Sequence, residues 1–326
     1  MTRESVITTE DTNNEHYKPH KFMRKILNLL LVTFVLFQSA CADYVEVILL
    51  GTGTPRPSIE RFGSATLVNA GGQYFLFDAG RGTTIRLQQA GITANQIDKV
   101  FLTHLHSDHI SGLDDLWITG WVWQRQQLLN VSGPKGTHQL VKGLRDAYSA
   151  DISYRVANVK LKDSKAKIES VEIEEGVVYQ KYGVTIRAFL VEHAPVKPAY
   201  GYRIEFGDRA IVISGDTTYS ENLVNHAQKA DLLIHEITAA DPSLIERNKR
   251  LASVVAYHTN PSQMAEILNK TKPKVAILNH VLLFGVTEDQ VIEEIKQQYS
   301  GDVSMGYDLM KIGVGSSIEL QRINVE

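Results

Sequence analysis

Short apolar runs, each closed by a break rich in glycine, proline or aspartate, recur along the chain from residue 44 onward. Tyr44-Val45-Glu46-Val47-Ile48-Leu49-Leu50 has the length and β-branched content of a buried strand, and Gly51-Thr52-Gly53-Thr54-Pro55 stops it. Ser64-Ala65-Thr66-Leu67-Val68 and Tyr74-Phe75-Leu76-Phe77 predict two further strands, with a hairpin turn at Ala70-Gly71-Gly72. A helix is predicted from Thr83 to Ala90, with Gly91 as its C-terminal cap. Lys99-Val100-Phe101-Leu102 reads as a strand that enters a histidine-rich loop. Residues 110–127 then read as helical, and a second helix follows Gly133-Pro134 and runs to Tyr148. Residues 152–177 are charged and strand-like. Later strands are predicted at 184–190, 200–206, 209–213, 231–235 and 274–279, and helices at 220–229, 261–270 and 287–299. There is no internal repeat and no low-complexity linker. This alternation predicts an α/β fold of two mixed β-sheets flanked by helices, in one domain over residues 43–326.

The first 42 residues follow a different pattern. Residues 1–22 are polar and aperiodic and read as a possible upstream extension, with Met23 as a candidate start. Met23-Arg24-Lys25 opens a basic segment, and Ile26–Phe37 is an apolar run interrupted only by Asn28 and Thr33. Gln38-Ser39-Ala40-Cys41-Ala42 supplies small residues at a cleavage position. Residues 23–42 therefore read as a signal peptide, which predicts a periplasmic or secreted protein. The run is short for a bilayer span, which needs about 20 apolar residues. Ser39-Ala40 before Cys41 resembles a bacterial lipobox, and lipid anchoring through Cys41 is the alternative reading.

Composition narrows the classes further. With 326 residues, 43% of them apolar and 22% charged, the chain can bury a core and is not a disordered polymer. Lys and Arg total 34 against 37 Asp and Glu, a net of −3, which argues against a strong non-specific nucleic-acid binder. Cys41 is the single cysteine, so there is no disulfide framework and no cysteine-rich zinc module.

Histidine is where the chemistry lies. Residues 103–109 read Thr-His-Leu-His-Ser-Asp-His, placing His104, His106, Asp108 and His109 directly after an apolar strand. Alternate positions of an extended loop point the same way, so 104, 106 and 108 converge, and His109 turns in as the helix begins. Four such groups would repel when protonated and would be costly to bury unpaired; a bound metal removes both costs. His193, Asp216 and His280 each end a predicted apolar strand, where strand ends can converge on one site. Taken singly, such a histidine is more often a capped surface residue, and Asp216 reads as a Gly-Asp turn residue; the joint pattern is what points to a site.

Together, several motifs resemble a metallo-β-lactamase-fold hydrolase of the ribonuclease Z and arylsulfatase-like branch. They are Leu50-Gly51-Thr52-Gly53, Phe77-Asp78-Ala79-Gly80-Arg81-Gly82-Thr83, Thr103–His109, Gly133-Pro134-Lys135-Gly136, His193, Gly215-Asp216-Thr217, His235-Glu236-Ile237-Thr238, His258-Thr259 and Asn279-His280. The resemblance spans residues 45–285 and implies a four-layer αβ/βα sandwich with two zinc ions between the sheets. By that likeness His104, His106 and His193 hold one zinc, Asp108, His109 and His280 the other, and Asp216 bridges them. Iron or manganese can also occupy His/Asp sites. Two zincs about 3.5–4 Å apart can hold a bridging hydroxide, which predicts a dinuclear hydrolase of ester bonds. Asp108 or Asp216 is then suited to hold the attacking water. His258 resembles the histidine that assists the leaving oxygen, and Glu236 would orient it. Asp78 and His235 are expected just outside the ligands, each with a structural alternative, while His138 and His226 read as surface residues.

Substrate is where the sequence departs from ribonuclease Z. That enzyme carries a Gly/Pro-rich arm that grips transfer RNA, whereas residues 150–183 here are compact, charged and poor in Gly and Pro. Val281-Leu282-Leu283-Phe284 stands where a Ser-Arg-Tyr-like segment is expected, and a secreted protein would not meet precursor transfer RNA. The segment from His193 to Arg203 and Tyr257-His258-Thr259-Asn260-Pro261 look closer to arylsulfatase-like members. Trp121 and Phe284 are candidates for an aromatic substrate pocket, although Trp117 and Trp121 at i, i+4 also fit helix packing. The expectation is a zinc hydrolase of small sulfate or phosphodiester substrates, with no stable protein partner and a homodimer possible. Nucleic acid is not favoured. The alternatives are a ribonuclease Z-type endonuclease, a lactonase or β-lactamase-type acyl hydrolase, and a non-enzymatic zinc-binding scaffold.

Overall fold

The computed structural model describes residues 44–325; the leader-like segment 23–42, Cys41 and the extension before it lie outside the described residues. Strand residues sort by parity into three apolar clusters. In the strand Val45–Gly51, Val45, Val47 and Leu49 enter one cluster, and Ile48 and Leu50 enter another. In Leu232–Ala240, Ile234 joins the first cluster while Leu233 and Ile237 join a third. Alternate side chains point to opposite faces of a sheet, so these strands are buried on both sides, which is why their sequences are nearly continuous apolar runs. The first cluster draws on both sheets and fills the space between them. The second and third lie under helices on the outer faces. The result is a four-layer stack of helices, sheet, sheet and helices.

The eight-stranded sheet runs Ile318–Arg322, Met310–Val314, Val45–Gly51, Ala65–Ala70, Gln73–Phe77, Lys99–Phe101, Leu129–Gly133, Ile168–Glu172. The seven-stranded sheet runs Val303–Met305, Val275–Phe284, Leu232–Ala240, Arg209–Ile213, Tyr200–Phe206, Val184–Leu190, Gly176–Lys181. Both are mixed. In the first, pairing is parallel from Gln73–Phe77 to Ile168–Glu172; in the second, it is parallel from Arg209–Ile213 to Val303–Met305. Parallel neighbours need crossovers, and helices such as Glu221–His226 and Pro261–Thr271 provide them.

Several elements differ from the sequence expectation. Ser149–Val159 is a helix where a strand-like stretch is predicted. Its Asp151–Arg155 ion pair at 2.9 Å has i, i+4 spacing, but Tyr154 and Val159 face solvent, so no clean amphipathic stripe marks it. The helix predicted over 110–127 divides into Ser107–Ile110 and Leu113–Val122. The second piece is closed by the backbone N–H groups of Trp123, Gln124 and Arg125, which donate to the carbonyls of Thr119, Trp121 and Gly120, and the buried Arg125 guanidinium ties it to the carbonyls of Ala94 and Ile97. Leu232–Ala240 and Val275–Phe284 continue several residues past their predicted ends, and two short helices, Pro242–Arg247 and Lys249–Val255, follow the first of them.

Candidate active site

Both sheets contribute side chains to one buried cluster. From the first sheet, the loop after Lys99–Phe101 brings His104 and His106, and the short helix Ser107–Ile110 brings Asp108 and His109. From the second sheet come His193 beyond Val184–Leu190, Asp216 beyond Arg209–Ile213, and His280 within Val275–Phe284. His280 is set by a β-bulge. Glu236 pairs with Asn279 and Ile237 with Val281, so His280 is the extra residue, and its φ is +43°. A bulged left-handed residue re-aims its side chain without ending the strand.

The converging atoms are closely spaced. Asp216 Oδ2 lies 3.3 Å from His109 Nε2, 3.5 Å from His280 Nε2, 3.7 Å from His104 Nε2 and 3.9 Å from His193 Nε2. His106 Nδ1 is 2.9 Å from His104 Nε2 and 3.4 Å from His193 Nε2. Asp108 Oδ2 is 3.1 Å from His280 Nε2 and 3.6 Å from His109 Nε2. The potential ligand atoms of His104, His106, His193 and Asp216 all lie within 4.8 Å of one another, as do those of Asp108, His109 and His280.

The remaining ring nitrogens of three of these histidines are held from outside. His104 Nδ1 contacts Thr103 Oγ1 at 3.0 Å, His109 Nδ1 contacts Asp78 Oδ2 at 2.7 Å, and His193 Nδ1 contacts the Tyr257 carbonyl at 3.1 Å. Asp78, with φ +59°, also accepts from the Thr103 amide at 2.8 Å. Such outer contacts fix ring orientation and tautomer in metal sites. The electrostatics agree with a cation-binding cluster. Burial lowers the pKa of His104 well below the ordinary value, and a charge on His109 adds to this. Burial also lowers His193. Burial opposes the charge on His109, but Asp216 and Asp78 outweigh it and raise its pKa well above the usual value. Imidazole nitrogens this close to one another, beside two buried carboxylates, are a donor set for a divalent metal.

Beside the cluster, His258 Nδ1 lies 3.0 Å from Glu236 Oε1, and the same oxygen accepts from the amides of Thr217 and Thr259, each at 3.1 Å. Burial disfavours the imidazolium, but the Glu236 charge prevails and carries the His258 pKa up to about 9. The His258 ring sits 5.1 Å from that of His193 and 5.6 Å from that of His280.

His235 is not near the cluster, contrary to expectation. Its strand parity is that of Leu233 and Ile237, so it faces the outer helical layer, fully buried, with Nδ1 contacting the Glu236 carbonyl at 2.7 Å. Trp121 is also not a pocket residue. It packs in the helical layer of the first sheet, with its indole N–H donating to the Lys162 carbonyl at 3.2 Å, because i, i+4 spacing with Trp117 turns both rings inward. Phe284, by contrast, does line the cleft that opens on the cluster.

That cleft has a volume of about 860 Å³. Residues His106, Asp108, Asp216, His258 and His280 form its floor, and Leu251, Val254 and Tyr257 form one wall. Arg56 and Arg250 bring positive charge to it, whereas Arg61 is paired there with Glu288 at 2.5 Å. Sequence reasoning missed these arginines, because no motif contains them. It also missed Thr103, whose adjacency to His104 was the available signal.

A family model described as Anti-Pycsar protein Apyc1 matches residues 45–246. Ribonuclease Z of Mycobacterium sp. (strain KMS) is 39% identical over 240 residues, covering 73% of this chain and 84% of that protein. Ribonuclease Z of Mycolicibacterium gilvum (strain PYR-GCK) is 37% identical over 277 residues, covering 83% and 96%. Among solved structures, the short form of human tRNase Z aligns with a TM-score of 0.59 at 26% identity, covering 82% of this chain and 98% of that one. The metallo-β-lactamase-fold protein YhfI from Bacillus subtilis aligns with a TM-score of 0.66 at 20% identity, covering 83% and 100%, a likeness of fold.

Proposed function

The chain belongs to the family of metallo-β-lactamase-fold hydrolases represented by the ribonuclease Z enzymes and the anti-Pycsar protein Apyc1, and from that premise we propose that it is a metal-dependent phosphodiesterase. The observation that carries this reading is the Glu236–His258 pair, in which a buried carboxylate holds, at 3.0 Å, an imidazole that lines the open cleft beside the donor cluster. His104, His106 and His193 would hold one divalent ion and Asp108, His109 and His280 a second, with Asp216 facing both. Zinc suits this donor set, and iron or manganese could replace it. Bound there, the ions supply Lewis acidity and a water activated near neutral pH.

The chain's own groups supply the rest. Burial works against the Asp108 carboxylate, but His280 and His109 outweigh it and lower its pKa, so it is ionised and can accept a hydrogen bond from the attacking water. His258 engages Glu236 through Nδ1, which leaves Nε2 to protonate the departing oxygen. Arg56 and Arg250 attract an anionic ester, and Tyr257, Leu251 and Phe284 give the cleft an apolar wall that excludes water.

The relatives' names support the ribonuclease Z-type alternative carried from the sequence and, with it, the phosphodiester half of the main expectation; they lend nothing to the sulfate-ester half. RNA is accordingly the first substrate class to try. A small phosphodiester is the second, favoured because residues 149–181 form a helix and two strands rather than a projecting arm. The test uses the zinc-loaded full chain with bis(p-nitrophenyl) phosphate, p-nitrophenyl sulfate and a precursor transfer RNA bearing a 3′ trailer. Turnover of a phosphodiester that is lost in His104→Ala is expected. Turnover of the sulfate alone would overturn the reading.

A further inference from the structure

Deeper than the cleft, toward the core between the sheets, lies a second cavity of about 20 Å³. Asp216, Glu236, Asn279 and His280 line it from one sheet, and Thr66 and Asp78 from the other. Eight buried side-chain atoms among the described residues have no hydrogen-bond partner in the protein, and four of them belong to residues around this one cavity: Asp216 Oδ1, Glu236 Oε2, Asn279 Oδ1 and His280 Nδ1. All four residues are more than nine-tenths buried.

These four atoms cannot satisfy one another. Three are acceptors. His280 Nε2 is turned to the donor cluster, so once it is given to a cation there the ring's one proton sits on Nδ1, facing the cavity. One donor against three acceptors leaves a deficit of donors in a place where bare acceptors are costly. His280 also differs from its neighbours. The outer nitrogens of His104, His109 and His193 each have a protein partner, and that of His280 has none. Metal-bound histidines almost always have such a partner.

We propose that this cavity is a structural water site and that the water is the outer partner of His280. A buried water needs about 10–15 Å³ and two to four polar partners, so the cavity holds one. The water accepts from His280 Nδ1–H and donates both protons to two of the three oxygens, Glu236 Oε2 among them. A monovalent cation would also attract the oxygens, but it would meet the His280 N–H head-on. The water therefore links His280 to the carboxylate that holds His258, and it positions that ligand without touching substrate. The site does not depend on which ester the protein cleaves.

The deciding experiment is a high-resolution crystal structure of the zinc-loaded full chain, paired with zinc affinity measured by chelator competition in wild type and Thr66→Ile. Thr66→Ile pushes an extra methylene into the cavity and removes a hydroxyl from its wall. Wild type is expected to show one density peak within about 2.6–3.2 Å of His280 Nδ1 and of at least two of the three oxygens. Thr66→Ile is expected to lose the peak and to bind its weaker zinc about 10-fold less tightly. A wild-type cavity without density, or a peak ringed by oxygens with His280 Nδ1 out of contact, overturns the water site. Loss of the peak with unchanged zinc affinity overturns its role in positioning His280. If Thr66→Ile does not fold, the wild-type density still decides the site.

Discussion

His258 owes its charge chiefly to Glu236, with Asp216 adding to it. Burial alone would strip its proton, and the Glu236 carboxylate reverses this, raising the pKa to about 9. Because the folded value lies above the ordinary 6.5, the pair's contribution to stability is complete below about 6.5 and is lost as pH rises through about 9. If His258 is the proton donor, kcat should hold across neutral pH and fall on the alkaline side, with bound cations drawing that limb below 9. His258→Ala should remove the limb and cost about 10²–10⁴-fold in kcat, the usual contribution of a general acid. Glu236→Gln should keep the limb but move it toward an ordinary histidine, because a neutral amide cannot hold the charge. A kcat–pH profile of the three proteins checks this. A limb unmoved in Glu236→Gln would leave the pair with a structural role only.

The loop between Val45–Gly51 and Ala65–Ala70 forms one wall of the cleft, and one distant carboxylate holds both its ends. Asp308 accepts from the Thr52 amide at 2.9 Å, the Thr52 hydroxyl at 2.8 Å, the Phe62 amide at 2.8 Å and Arg86 Nε at 3.0 Å. Asp308→Ala takes the carboxylate from the largely buried Arg86 guanidinium, which keeps only neutral acceptors in Gln89 and the Ile59 and Glu60 carbonyls, a change that costs about 3 kcal/mol. Denaturant unfolding should show that loss, and KM should rise more than kcat falls, because the wall holds substrate and carries no reacting group. Asp308 was not legible in the sequence, since its partners lie 222 to 256 positions away and no local pattern marks it. The Thr103–His109 motif was legible, because imidazoles and a carboxylate packed this densely beside an apolar strand would be costly to bury without a metal. His280 was half-legible. A polar residue in an apolar run looks like the end of a strand, whereas the bulge carries the strand to Phe284. Ser149–Val159 and Lys249–Val255 escaped for the opposite reason. None of their residues is fully buried, and in Ser149–Val159 the pair Ile152 and Val156 that packs on the core is blurred by Tyr154 and Val159 facing solvent.

Across the whole molecule, the cluster sits where the two sheets meet. His104, His106, Asp108 and His109 belong to one sheet's loop, and His193, Asp216 and His280 to the other sheet. A metal held by both sets would tie the sheets together. Without it, the raised pKa of His109 and the lowered pKa of Asp216 leave a charged pair at 3.3 Å, among histidines whose own burial resists protonation. That pair is a weaker tie than a metal shared by both sets of ligands, because two buried charges give back much of their attraction in lost hydration. A metal that binds the folded chain stabilises it by RT ln(1 + [L]/Kd), about 4 kcal/mol at a thousandfold excess over Kd. Thermal unfolding should therefore show a Tm that falls on chelation and climbs again with added zinc in a concentration-dependent way. Asp216→Ala, which removes the carboxylate facing both sides, should blunt the response to zinc even where the chelated Tm is little changed. A wild-type Tm indifferent to both chelator and zinc would mean that the sheets are held by their apolar core alone and that the donor cluster binds no metal in the folded protein.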